Sequence, residues 1–271
     1  MKKMIALVLA VAMIASVAML AGCGKSNNSN GNDAAKATEA PKAAKLTMAT
    51  NAYFAPYEYY DGSNIVGIDV DIAKAIADKL GMELEVVDIE FDSIITGVQT
   101  GKYDMGMAGM TVTDERKQSV DFSDSYATGI QAVIVKEGSE IKSADDLLAK
   151  DTSYKVGVQL STTGDIYIGD DYKKEGKDES LITRFQTGND AVSALASGKV
   201  DAVVIDNEPA KSYVAATKGL QILDSKYAEE DYAICFAKNN TELKDKVNAA
   251  LKELIADGTV KGIVDKYIKA N

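Results

Sequence analysis

Two charged residues of opposite sign and one run of small hydroxyl residues carry most of the chemistry legible in this chain. Arg116 ends the segment Ala108-Gly109-Met110-Thr111-Val112-Thr113-Asp114-Glu115-Arg116, which reads as a strand end followed by a short helix with Thr113 as its N-cap. A guanidinium on a first helical turn has the planar fork that suits a carboxylate. The alternative for Arg116 is a surface ion pair with the acids beside it. Asp206 follows the apolar run Val203-Val204-Ile205, where a carboxylate is costly unless it meets a cation or hydrogen-bond donors. Its alternative is to cap the helix that enters Pro209. Ser161-Thr162-Thr163-Gly164 follows a strand and precedes a helix, a place where hydroxyls and N–H groups receive an anion or serve as plain caps. Together these groups suit a small molecule that carries both a carboxylate and an ammonium. The aromatic-rich loop Asn51-Ala52-Tyr53-Phe54-Ala55-Pro56-Tyr57-Glu58-Tyr59-Tyr60 suits a recess for such a molecule, although most of its rings need be no more than core plugs.

Composition narrows the function classes. The chain has 271 residues and no histidine. That removes Ser-His and Cys-His nucleophile pairs and the commonest transition-metal ligand. No Walker loop and no G-x-G-x-x-G fingerprint is present, and no cofactor, metal site or catalysis is expected. Met105, Met107 and Met110 read as packing. The net charge of −11 without a basic cluster argues against nucleic acid. Cys235, in Tyr-Ala-Ile-Cys-Phe-Ala, reads as a small buried residue.

The elements that position these groups form an α/β pattern. Lys2 and Lys3 precede an apolar run that ends in Leu20-Ala21-Gly22-Cys23, the form of a secretory leader over 1–22. Residues 23–45 hold Cys23 and a stretch too poor in apolar bulk to form a core. Strands are expected at 46–50, 84–87, 105–108, 133–135, 155–158 and 200–205, with helices between them. Asp69 is expected to cap a helix that Gly81 stops, Ser143 to open one, and Thr241 to start a final long one. Residues 94–104, a short apolar helix, a Gly-Lys turn, an Asp and a strand, have a counterpart at 191–201. Two such units suggest two similar lobes, with Gly109 and Asp206 at equivalent strand ends. Ligands of open α/β sheets bind there.

The ordered segments Phe-Ala-Pro-Tyr-Glu-Tyr, Gly67-Ile68-Asp69-Val70-Asp71, Ala-Gly-Met-Thr-Val-Thr-Asp-Glu-Arg, Gly-Val-Gln-Leu-Ser-Thr-Thr-Gly and Asp-Ala-Val-Val-Ile-Asp-Asn resemble the bacterial family 3 solute-binding proteins, which serve ABC importers of polar amino acids. The resemblance runs from Leu46 to Ile268. It implies a type II two-lobe clamp, each lobe a β-sheet flanked by helices. Lobe 1 would comprise 46–126 plus 233–271 and lobe 2 131–228, joined by crossing hinge strands at 126–130 and 228–233. It also implies roles: Arg116 for the ligand carboxylate, Gly109 and Thr111 for its ammonium and carboxylate, Thr162 and Thr163 for closure over the carboxylate, Asp206 for the ammonium, and Phe54 and Phe91 as a sandwich for the side chain. Leu-Ala-Gly-Cys resembles a lipobox, which implies a lipid on Cys23 and an extracytoplasmic protein held at the membrane.

Asn51 stands where members that bind basic amino acids often have Asp. It favours an uncharged polar side chain, glutamine-like, with arginine or lysine as the alternative if Glu58 turns inward. The expected partners are a free amino acid, ABC permease subunits and the membrane, with the protein itself a monomer. A sensory amino-acid receptor without transport and a dehydratase on the same scaffold are the competing classes. Asp206 counts against the dehydratase, whose substrate has no ammonium.

Overall fold

The computed structural model describes residues 43–224 and 226–268. The expected leader 1–22, Cys23 and the linker to residue 42 lie outside the described residues. The chain runs β1 (Lys45–Thr50), β2 (Tyr53–Phe54), β3 (Glu58–Asp61), β4 (Asn64–Val66), α1 (Ile68–Leu80), β5 (Glu83–Asp88), α2 (Phe91–Gln99), β6 (Met105–Gly106) and α3 (Asp114–Ser119). It continues through β7 (Val120–Lys136), α4 (Asp145–Leu148), β8 (Val156–Gln159), α5 (Thr163–Glu175), β9 (Ile182–Phe185), α6 (Gly188–Ala196), β10 (Ala202–Asp206), α7 (Asn207–Ala216) and β11 (Leu220–Ile222). β12 (Ala228–Ala237), α8 (Thr241–Ala256) and α9 (Thr259–Tyr267) complete it. The linker expected over 23–45 overlaps β1 by its last residue.

Among the described residues nine strands form one sheet, eight of them in the order β5-β1-β6-β12-β7-β10-β8-β9 with β11 paired to β7 off this path, and β2-β3-β4 form a separate small sheet. The outer pairs are parallel and joined through helices, as βαβ units require. The two long central strands are antiparallel to each other and connect the halves. The middle of β7, Ala127–Gln131, pairs with Ala228–Tyr232 of β12, while its end, Gln131–Val135, pairs with β10. β12 leaves in the other direction and meets β6 at Cys235. The register slips on either side of Ala233. Gly129 sits beneath Tyr232 so closely that a Cβ there would lie 2.2 Å from the tyrosine hydroxyl.

The repeat seen in the sequence is structural. Helices α2 and α6 hold equivalent places before β6 and β10, and each is followed by a left-handed glycine, Gly101 (φ 72°) and Gly198 (φ 76°). One half packs Val133, Val135, Val156, Val158, Ile168 and Tyr172. The other packs Ile94, Val98, Met110 and Cys235 behind α2. Cys235 is fully buried, and burial pushes its thiol up to about 12, so it is a core residue rather than a nucleophile. Met105, Met107 and Met110 are also fully buried.

Four local expectations need correction. Asp69 does not cap α1. Gly67 holds the N-cap position, and Asp69 lies inside the first turn, fully buried, accepting from the Gly109 N–H (2.8 Å) and the Tyr126 hydroxyl (2.8 Å). The long helix from Thr241 is not the last element. It stops at Asp257, and Gly258 (φ 84°) opens α9. Ala144, not Ser143, stands at the N-cap of α4. Asp146 nonetheless accepts from the backbone N–H groups of Lys142 and Ser143. The strand expected at 105–108 pairs as strand only over Met105–Gly106, after which Met107 still donates to the Ala49 carbonyl.

Candidate functional site

The carboxyl ends of β1, β6, β8 and β10 converge on one recess between the halves. Asn51, Phe54, Glu58, Phe91, Ala108, Gly109, Thr111, Arg116, Gln159, Thr162, Thr163 and Asp206 line it. Every residue singled out by the sequence as a ligand contact is therefore brought to one place. Cys23 falls outside the described residues.

Arg116 reaches the recess from α3. Thr113 caps that helix as expected, accepting from the Arg116 N–H at 3.1 Å. The guanidinium is 6% exposed and donates to the carbonyls of Thr111 (2.8 Å) and Ser161 (3.0 Å). It also sits 5.4 Å from the Phe91 ring centroid, which suits cation–π attraction. No carboxylate pairs with it among the described ion pairs, so the surface-ion-pair alternative does not hold. Burial lowers its pKa from the ordinary value.

The hydroxyl loop belongs to the other half. Thr162 is the N-cap of α5, accepting from Asp165 at 3.4 Å. Ser161 takes φ 62° and turns its carbonyl to Arg116. Asp165 holds this turn, accepting from the Ser161 N–H (3.0 Å) and pairing with Arg184 (2.7 Å).

Asp206 stands at the N-cap position of α7 but makes no side-chain cap bond, so capping is not its role. Its carboxylate accepts from the Tyr232 hydroxyl. It is 6% exposed, and burial first, then the charge of Glu230, push it up to about 7. Gly109 (φ 52°) approaches Phe54 so closely that a Cβ would lie 2.8 Å from the ring. A larger residue there would close the recess.

Three polar residues escaped the sequence reading or were left open by it. Glu58 faces the recess. It is fully buried, no N–H or hydroxyl donor reaches it among the described groups, and its side-chain partner is the carboxyl of Asp69. Burial, then the negative charge of Asp69, raise it well above the usual carboxylate range. Asp69 itself is raised to about 6 by burial. Gln159 donates to Asn51 Oδ1 (3.0 Å) and to the Gln186 carbonyl (3.1 Å). Asn51 Nδ2 donates to the Ile89 carbonyl (2.9 Å). The Asn51 amide thus already spends one donor and one acceptor within the protein, which weakens the reason for assigning it a neutral ligand. Glu230, 6% exposed, lies beneath Thr111. Its one signal in the sequence is its place two residues before Tyr232, on the inward face of a strand whose neighbours Glu229 and Asp231 are exposed.

The halves touch each other across this recess. Besides Arg116–Ser161 and Gln159–Asn51, Thr111 and Thr163 hydroxyls lie 3.4 Å apart, Tyr213 donates to the Tyr53 carbonyl (2.6 Å), and Ser212 donates to that of Ala55 (3.2 Å). Chemically, the site offers one fixed cation stacked on the Phe91 ring, a second ring at Phe54, threonine hydroxyls at a helix start, and buried carboxylates.

The chain is similar to known proteins over most of its length. The profile of bacterial extracellular solute-binding proteins, family 3, matches residues 46–270. The arginine-binding extracellular protein ArtP of Bacillus subtilis (strain 168) is 39% identical over 228 residues, covering 81% of this chain and 84% of that protein. The ABC transporter glutamine-binding protein GlnH of the same organism is 35% identical over 208 residues, covering 76% and 73%. An ancestral arginine-binding protein solved with glutamine bound superposes with a TM-score of 0.76 at 40% identity, covering 83% of this chain and 98% of that one.

Proposed function

Since this chain belongs to family 3 of the bacterial extracellular solute-binding proteins and has their two-lobe α/β clamp fold, we propose that it captures a free amino acid with a basic side chain, of the arginine type. Its family places it outside the cytoplasm, among non-enzymatic receptors that bind amino acids and work with ABC importers. In our reading Arg116 and the N–H groups at Thr162 and Thr163 receive the α-carboxylate. Asp206, with Gly109 and Thr111, receives the α-ammonium. Phe54 and Phe91 flank the side chain, and Asn51 and Gln159 border its path. We take lobe 1 as 46–126 plus 233–271, lobe 2 as 131–228 and the hinges as 126–130 and 228–233. Contacts from both lobes exist only when the clamp is closed.

The observation that carries the basic side chain is Glu58. Glu58 and its hydrogen-bonded neighbour Asp69 are two fully buried acids with no cation paired to either among the described ion pairs, an expensive arrangement that a guanidinium or ammonium entering between the two rings would relieve. Glutamine remains the second reading. It is favoured by the Asn51–Gln159 amide pair at the wall (3.0 Å), each of whose amides keeps unused hydrogen-bonding capacity, and by the glutamine bound to the ancestral relative. Calorimetric titration with L-arginine, L-lysine and L-glutamine, repeated on Glu58→Gln, tests the choice. We expect arginine to bind most tightly and to lose about 30-fold or more in Glu58→Gln, the cost of removing one partner of a buried charge pair. Glutamine affinity should move little. Tighter binding of glutamine than of arginine by the native protein would reverse the assignment.

The same reading includes a lipid on Cys23 that tethers a monomer to the membrane surface and presents it to the permease. A Cys23→Ser variant still found in the membrane fraction would remove that part.

A further inference from the structure

The floor of the recess contains a hydrogen-bond network that the proposed ligand contacts do not explain. Gln131 on β7 donates through Nε2 to Glu230 Oε2 (3.0 Å) and to Thr163 Oγ1 (3.3 Å). Thr111 Oγ1 donates to the same Glu230 oxygen (3.2 Å) and lies 3.4 Å from Thr163 Oγ1. All four residues are buried. They come from both halves and from both long strands that join them.

Counting protons assigns each hydroxyl a polarity. A threonine has one proton and two lone pairs, while a side-chain amide nitrogen has two protons and accepts nothing. Gln131 divides its two protons among three acceptors, Glu230, Thr163 and Asp206, and gives none to Thr111. The orientation of its amide is set by Glu230, because the opposite one would turn its carbonyl oxygen against a carboxylate. Thr111 spends its single proton on Glu230, which leaves lone pairs on Oγ1. With the Thr111 proton spent, Thr163 is the donor of the 3.4 Å contact between the two hydroxyls, and that proton can turn to an acceptor entering the recess.

We infer that Glu230 is a positioning residue for amino-acid recognition, orienting the two facing hydroxyls so that Thr111 accepts from the α-ammonium and Thr163 donates to the α-carboxylate. The inference rests on the amino-acid reading above. Thr111 then works beside Asp206, and Thr163 beside Arg116, so the two hydroxyls repeat the charge order of the zwitterion. A glutamine at 230 would keep the packing and one acceptor, yet the chain holds a buried acid there, close to the carboxylate of Asp206. A carboxyl always keeps an oxygen lone pair for Thr111 and Gln131, whereas an amide can turn its N–H groups toward Thr111 and let that hydroxyl reverse.

The test compares each ligand with its desamino analogue, in which hydrogen replaces the amine: L-arginine against δ-guanidinovaleric acid, and L-glutamine against glutaramic acid. Affinities are measured for the native protein, Glu230→Gln, Thr111→Val and the double variant. The native protein should prefer the amine-bearing ligand strongly. Glu230→Gln should shrink that preference about tenfold or more, as expected for a hydrogen bond to a charged group, with the desamino analogue little changed. Thr111→Val should do the same and carries the test if Glu230→Gln does not fold. The double variant should lose no more than either single one. Equal weakening of both ligands in Glu230→Gln, or an unchanged preference, would show a structural role only and overturn the inference. A native protein that binds neither amino acid would instead overturn the proposed function, and this inference with it.

Discussion

Replacing Arg116 by lysine keeps the charge and removes the fork, so it isolates what the guanidinium geometry contributes. Arg116 already bridges the carbonyls of Thr111 (2.8 Å) and Ser161 (3.0 Å), one in each half. A guanidinium has five N–H donors in a plane and can hold both carbonyls while presenting a free edge to a carboxylate; an ammonium has three at one point. Lysine can therefore keep the carbonyls or meet the ligand, and must give up at least one charge-assisted hydrogen bond. Such a bond contributes about 1.5–3 kcal/mol, or about 10- to 150-fold in Kd. The position is buried (6% exposed), so solvent screening does little to reduce the loss. Arg116→Ala also leaves the ligand carboxylate without a counter-charge and should cost about 2–5 kcal/mol. Calorimetry with L-arginine and L-glutamine, with a thermal melt of the free protein, measures both effects. We expect the lysine variant to fold, melt slightly lower for want of one tie between the halves, and bind both ligands more weakly. A Kd within threefold of native would mean that the fork is not used and that the carboxylate sits elsewhere.

Two further outcomes follow from the site. Asp206 is raised to about 7 in the folded protein, above the ordinary Asp value near 4, so the ligand-free fold holds that proton more tightly than the unfolded chain. Its contribution to stability is full below about pH 4 and is lost as pH rises through about 7. Asp206→Asn should flatten that part of the melting-temperature profile between pH 4 and 8 and bind amino acids more weakly at pH 8, and an unchanged slope would count against a buried, uncompensated Asp206. Saturating amino acid should also reduce the radius of gyration in small-angle scattering, because a ligand shifts a conformational equilibrium only through contacts made better in one state, and identical curves would argue against hinged closure.

The sequence by itself settled what is local. Apolar runs of four to six residues alternating with amphipathic stretches could be read as α/β layers. The matched segments 94–104 and 191–201 announced two similar halves, and α2 and α6 occupy equivalent places in the structure. Arg116, Asp206 and the hydroxyl loop stood out because each is a polar group at an apolar strand end or a helix start, a pattern visible within a few residues. What the sequence left open depends on which side chains meet across a distance. Asp69 read as a helix cap because Asp near a helix start usually is one. It is buried instead, since Gly109 and Tyr126, 40 and 57 residues away, supply its donors. Glu58 read as an undecided loop acid, and only the packing of the β2-β3 hairpin against α1 turns it into the recess. Glu230 lay in an acidic run, and only its place two residues before Tyr232 marked it as the inward member. The pairing of β12 with β7 places it under Thr111, within reach of Gln131, and so makes it part of the recess floor. Local propensity depends on neighbours along the chain, whereas the charge environment of a cleft depends on the pairing of strands far apart in it, and that pairing is decided by tertiary packing.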